Sequence, residues 1–189
     1  LFKILSIWRF ILPMEGIKMH RIKMQLAMIS LGITTLANAG EGFQITSSAT
    51  AWNGTVPTIY TCDGKNISPK ITWSGAPAKT EAFALIVSDP DAPDGTFYHW
   101  GLYNIPKNTA ELAEGIQALP TGTMVAVNSF GKQQYSGPCP PKMARHRYVF
   151  TIYALDGVLT LPANANVSMV ETEAKKHALA QTNVTSNYR

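Results

Sequence analysis

Residues 82–87 read Ala-Phe-Ala-Leu-Ile-Val, six apolar residues in succession halted by Ser88-Asp89-Pro90. So short and continuous an apolar run describes a strand buried on both faces. Further β-rich runs accompany it at Phe43–Thr46, Ile71–Trp73, Trp100–Asn104, Thr123–Val127 and Tyr148–Leu155. Between them lie NGTVP, CDGKNISP, SDPDAPDG, NIPKN, PTG and SGPCPP, all rich in turn formers. The spacing predicts one helix, over 167–180, with Val167, Val170, Ala174 and Ala178 on its apolar face. Asn166 or Ser168 would cap it, and Lys175, Lys176 and His177 suit its C-terminal dipole. The expected fold is mainly β, a sandwich with one late helix. The 14 Gly and 12 Pro exclude a coiled coil, and 46% apolar residues against 15% charged argue against disorder.

The formal charge of +4 suggests a polyanionic partner until it is located along the chain. Lys3, Arg9, Lys18, Arg21 and Lys23, against Glu15, all precede Gly40. From Gly40 onward acidic and basic residues are equal in number. Nucleic acid, which needs a basic face, is therefore not an expected partner. The stretch beginning at Met19, one of three candidate starts with Met14 and Met24, has the layout of a secretory signal: His20, Arg21 and Lys23, then an uncharged run to Leu36, then Ala37-Asn38-Ala39. Residues 1–39 are accordingly expected to be upstream sequence and a signal peptide, and 40–189 the functional domain. The uncharged run is shorter than the roughly 20 residues of a membrane span. The expected compartment is periplasmic or extracellular, with no stable span after cleavage.

Three segments set ionisable groups beside stiff backbone. In Asp89-Pro90-Asp91-Ala92-Pro93-Asp94-Gly95, two prolines restrict the loop. Asp89, at the end of the buried strand, is the candidate inward carboxylate. His99 lies among aromatics in Phe97-Tyr98-His99-Trp100, ten positions on, and an Asp89–His99 pair would orient the ring and raise its pKa. Tyr135-Ser136-Gly137-Pro138-Cys139-Pro140-Pro141 is a rigid loop leading to Arg145-His146-Arg147-Tyr148. Residues two apart in a strand share a face, so His146 and Tyr148 would present an imidazole and a phenol together, suited to an anionic oxygen. Arg145 and Arg147 would turn to solvent.

DPDAP, HW, GPCPP with HRYVF, and CDGKNISPKITW resemble, in that combination, the phosphatidylethanolamine-binding protein family, in particular its bacterial Raf-kinase-inhibitor-like branch. The resemblance spans Phe43 to Ala180, and TNVTSNYR matches it less well. It implies a β-sandwich with a large central antiparallel sheet, a smaller second sheet and few peripheral helices. It also implies a small anion pocket at one end of the large sheet. Carried over residue by residue, that pocket would use Asp89, Ala92, Pro93, His99, Gly137, Pro138, Pro140, His146 and Tyr148. His99, His146 and Tyr148 would donate to the anion, Asp89 would orient the histidines, and a cis bond is implied beside one or more of the prolines.

Cys62 and Cys139 lie in loops within these motifs. They form either a disulfide across the pocket rim, as an oxidising compartment favours, or two buried thiols. His99, His146 and Asp89 match a two-histidine, one-carboxylate metal set, but no second carboxylate or helical His spacing supports a metal. Ser136, His146 and Asp89 make a hydrolase triad on paper, without the G-x-S-x-G elbow. The expected function is non-catalytic and needs no cofactor: binding of a small anionic ligand or phospholipid head group. Two alternatives remain, inhibition of a kinase-pathway or peptidase partner through the surface, and weak acid–base hydrolysis. A protein partner and a homodimer are compatible with the sequence, though no segment marks an interface.

Overall fold

The computed structural model describes residues 42–189; the expected signal segment, residues 1–39, lies outside them. Two antiparallel sheets carry the fold. Strands β1 (Gln44–Ser47), β2 (Ile71–Ser74) and β5 (Glu111–Leu112) form the smaller, in the order β1-β2-β5. The larger has β6 (Met124–Val125), β4 (Phe97–Pro106), β3 (Ala82–Asp89), β7 (His146–Leu155) and β8 (Ala178–Tyr188), in the order β6-β4-β3-β7-β8. A single α-helix among the described residues, α1 (Val167–His177), packs on the large sheet.

The apolar run is β3, at the centre of the large sheet, and alternation explains why it must be apolar throughout. Phe83, Leu85 and Val87 enter the core shared with Ile45, Trp73 and Phe150. Ala84 and Ile86 point the other way, into the cluster formed with Val167, Val170 and Ala174 of α1. The helix sits close because β4 has a glycine beneath it: a Cβ at Gly101 would lie 2.6 Å from Val167 Cγ2. Asn166 is the N-cap, its side chain accepting from Met169 N at 2.9 Å.

Two expectations about the end of the chain are corrected. The helix stops at His177, and 178–180, expected to be helical, begin an 11-residue edge strand. Ala178 pairs with Leu155, and the ladder runs without interruption from Ala180↔Ala154 to Tyr188↔His146. Ladder hydrogen bonds along the whole of β7 override the helix propensity of Ala and Leu. The segment matching the resemblance least well is therefore an integral strand. The expected strand at Thr123–Val127 narrows to two residues, and β5 lacked a sequence signal. Every peptide bond among the described residues is trans, so the cis bond implied by the resemblance is absent.

Candidate functional site

The site is at one end of the large sheet, where β3 ends and β4 and β7 begin. Asp89 closes β3 opposite Phe97, and Ser88 faces Val149 on the other side. This register brings Asp89, Phe97, His99, His146 and Tyr148 around a cavity of about 140 Å³. Ala92 and Pro93 wall it from the loop after β3, Cys139, Pro140 and Pro141 from the loop before β7, and Phe130 from a third loop. Seven of the nine expected ligand-binding residues line it. Gly137 and Pro138 do not; their backbone hydrogen bonds to Asn66 and Cys62 tie down the loop that carries Cys139 and Pro140.

Asp89 is 4% exposed and accepts twice. Its Oδ2 lies 2.7 Å from His146 Nδ1, and its Oδ1 takes the Asp91 N–H at 2.9 Å. The carboxylate thus orients His146, not His99 as the sequence suggested. His99 instead places Nδ1 2.6 Å from the Ser136 carbonyl oxygen. Nor is its pKa raised: burial of the ring lowers it, outweighing the Ser136 carbonyl and the Asp89 charge that favour the protonated form. The tyrosine phenol is the third polar group. Tyr148 is fully buried, its Oη has no hydrogen-bond partner in the protein, and burial with the nearby Asp89 pushes its pKa well up.

Alternation is kept across His146-Arg147-Tyr148: the outer two are buried and Arg147 is exposed. Arg147 does more than face solvent. Its Nε lies 2.9 Å from Asp91 Oδ2, its Nη2 2.6 Å from Asp91 Oδ1, and its backbone N–H donates to the same carboxylate at 2.9 Å. These bonds from Arg147 hold the Asp91 carboxyl down at about 2. Since Asp91 N also bonds Asp89, the fork fixes the loop that carries the cavity carboxylate.

The opposite wall is cross-linked. Cys62 and Cys139 form a disulfide with Cα atoms 5.4 Å apart. Cys62 N donates to Pro138 O at 3.1 Å, Gly137 N to Asn66 Oδ1 at 2.7 Å, and Tyr135 Oη to Tyr60 O at 2.8 Å. Glycine is required at 137 because a Cβ there would stand 2.0 Å from Tyr60 O. Both cysteines are exposed, in contrast to the buried-thiol alternative.

Sequence reading missed Phe97, Phe130 and Pro141. Phe97 had a signal: two residues before His99, it shares the face of that ring, and their centroids are 5.4 Å apart. Phe130 had none in its neighbourhood. Its ring, 4.8 Å from Phe97 and 5.6 Å from His99, arrives through a turn organised by Asn128, whose Oδ1 accepts from Phe130 N and Lys132 N. The hydrolase serine is tied elsewhere: Ser136 Oγ accepts from Asn128 Nδ2 at 3.1 Å and makes no hydrogen bond to His146.

Comparison with known proteins gives this end of the sheet a context. The family model for phosphatidylethanolamine-binding protein matches residues 46–189. The chain belongs to the phosphatidylethanolamine-binding protein family. That match runs through β8, beyond the resemblance legible in the motifs. Among relatives in the family, a UPF0098 protein of Aquifex aeolicus is 42% identical over 159 residues, covering 82% of this chain and 93% of its own. A protein of Mycobacterium tuberculosis named as a lipoprotein is 40% identical over 133 residues, 70% of this chain and 65% of its own. The crystal structure of Escherichia coli YbcL, described as a member of the mammalian family, superposes with a TM-score of 0.72 at 32% identity, covering 79% of this chain and 99% of that one. The mainly β architecture with two antiparallel sheets and a helix near the C-terminus is that of the family.

Proposed function

We propose that this protein is an extracytoplasmic, non-catalytic binding protein for a small oxyanion, a phosphate or phospholipid head group, and that it regulates or inhibits a partner protein. One observation carries the reading: the Tyr148 phenol, fully buried in the cavity wall, makes no close hydrogen bond within the protein, although the Asp89 carboxylate lies near it. A buried hydroxyl without a partner costs roughly 1–3 kcal/mol, and an anionic oxygen in the cavity would relieve that cost. His146, oriented by Asp89, stands on the same face as the second polar contact. The exposed disulfide and the relative named as a lipoprotein support an address outside the cytoplasm. The Ser136 hydroxyl accepts from Asn128 and makes no hydrogen bond to His146, which favours binding over hydrolysis.

Calorimetric titration with inorganic phosphate tests the reading. Tyr148→Phe and His146→Ala should each weaken binding at least about fivefold. Equal affinity in wild type and both variants would remove this cavity from the account.

A protein partner is the second reading, and one feature favours it. Met143 is fully exposed, with φ of 69°, in the short turn between Pro141 and His146, and Phe130 at the cavity is 44% exposed. Apolar side chains held out beside a cavity suit an interface. A partner captured from the native envelope should be lost on Met143→Ser. Capture undiminished by that change would move the interface elsewhere.

A further inference from the structure

The cavity has an unequal supply of hydrogen-bond donors and acceptors. Ser136 O is a main-chain carbonyl and can only accept, so the His99 Nδ1 beside it at 2.6 Å carries the hydrogen. The neutral ring then has one nitrogen left for a ligand, Nε2, and that nitrogen is a lone pair. Asp89 is an acceptor on both oxygens, engaged by His146 Nδ1 and Asp91 N. The Tyr148 hydroxyl makes no close hydrogen bond, though the Asp89 carboxylate is near, and it is the donor that remains for a ligand. A ligand oxygen seated among these groups meets a hydrogen at Tyr148 and a lone pair at His99.

We propose that the cavity selects an oxyanion that still carries a hydrogen, such as hydrogen phosphate or a singly protonated phosphate monoester, over a fully ionised tetrahedral oxyanion such as sulfate. The inference rests on the reading of the cavity as an oxyanion site and adds the protonation state of the ligand. A P–OH group donates to His99 Nε2 while an ionised oxygen accepts from Tyr148; His146, whose Nδ1 hydrogen is given to Asp89, likewise offers a lone pair at Nε2 when neutral. Sulfate, which holds no hydrogen near neutral pH, sets lone pair against lone pair at His99 unless the ring first takes up a proton. Burial opposes that uptake. The titratable groups facing His99 are Asp89 on β3 and His146 and Tyr148 on β7. The remaining neighbours are uncharged: Phe97, Phe130 and the backbone of Ser136 and Gly137.

The test is calorimetry on the purified protein with sodium phosphate and sodium sulfate at pH 7. Phosphate should bind about tenfold or more tightly than sulfate, the range expected for one unpaired buried polar group. Glycerol phosphate, a monoester whose last proton leaves with a pKa of about 6, should lose about fivefold in affinity between about pH 6 and 8 and level off at the weak binding of sulfate. Inorganic phosphate, which keeps a hydrogen across that range, should not. Vesicles separate the sources: if the ligand is lipid-borne, those containing phosphatidic acid, a monoester, should capture the protein and those containing phosphatidylglycerol, a diester without that hydrogen, should not. In His99→Gln the amide can turn a hydrogen to the ligand, and the phosphate preference should shrink to about threefold or less. Should that variant not fold, the wild-type ratio decides alone. Equal affinity for phosphate and sulfate overturns the selectivity while leaving the oxyanion site standing; binding of neither at millimolar concentration overturns both.

Discussion

Removing the disulfide separates two effects that the structure keeps apart. Cys62 and Cys139 close a loop spanning 77 positions, and in the chain-entropy model such a closure restricts the unfolded chain by about 4 kcal/mol. The native loops have other links, in Cys62 N to Pro138 O, Gly137 N to Asn66 Oδ1 and Tyr135 Oη to Tyr60 O. The doubly substituted Cys62→Ala, Cys139→Ala protein should therefore keep its fold and its cavity while losing stability. For a domain of this size, about 4 kcal/mol corresponds to a fall in Tm of roughly 8–16 °C. Differential scanning calorimetry of the variant, and of wild type with and without a dithiol reductant, measures it. Intact mass should confirm that reduction adds two hydrogens to wild type and none to the variant. A Tm change under about 3 °C in both comparisons would refute the argument, for it would mean that the unfolded chain gains little freedom from the open loop.

Gly137→Ala should be far worse than an ordinary surface change. Its Cβ meets the Tyr60 carbonyl, a backbone atom with little room to shift, so a loss of about 1–3 kcal/mol in urea unfolding and weakened phosphate binding are expected. Asp91 should titrate at about 2 by NMR in wild type and return towards the usual aspartate value in Arg147→Ala, whose guanidinium and backbone hydrogen bonds depress it. Because the folded pKa is the lower one, the stability Asp91 contributes is present above the ordinary aspartate pKa and lost as pH falls from about 4 towards 2. Its exposure keeps that contribution small. Glu171→Ala removes the acceptor of Tyr98 Oη at 2.6 Å and Tyr153 Oη at 3.3 Å between helix and sheet, and should cost about 1–3 kcal/mol by denaturant unfolding. The same change should lower the Tyr98 pKa from about 12, a rise due first to burial and then to Glu171, as ultraviolet titration would show.

The sequence carried most of this site because its chemistry falls in short strand segments where alternation assigns faces. His146, Arg147 and Tyr148 could be sorted by period alone, as could the two-sided burial of β3. What alternation does not reveal is which strands become neighbours. Asp89 is ten positions from His99 yet bonds His146, 57 positions away, because β7 lies beside β3 in the register that brings them together. Phe130 was illegible for a related reason: its position is set by the five hydrogen bonds that join the Asn128 amide to Phe130, Lys132, His99, Gln134 and Ser136. Strand β8 hid because an edge strand need not be apolar. Its exposure alternates from Ala178 to Thr185, yet Thr, Asn and Gln stand where an interior strand would show Val or Ile.

The β3–β7 ladder also has a kinetic consequence. Contacts between residues so distant along the chain form only after a large loop-closure cost, which places folds dominated by them in the millisecond-to-second range. No hairpin excised from this chain would hold Asp89 against His146, because the two arrive on strands separated by β4, β5 and β6 in sequence. Competence to bind an anion should therefore emerge in the same refolding phase as the β3–β7 pairing, so that ligand recognition reports the closure of the large sheet.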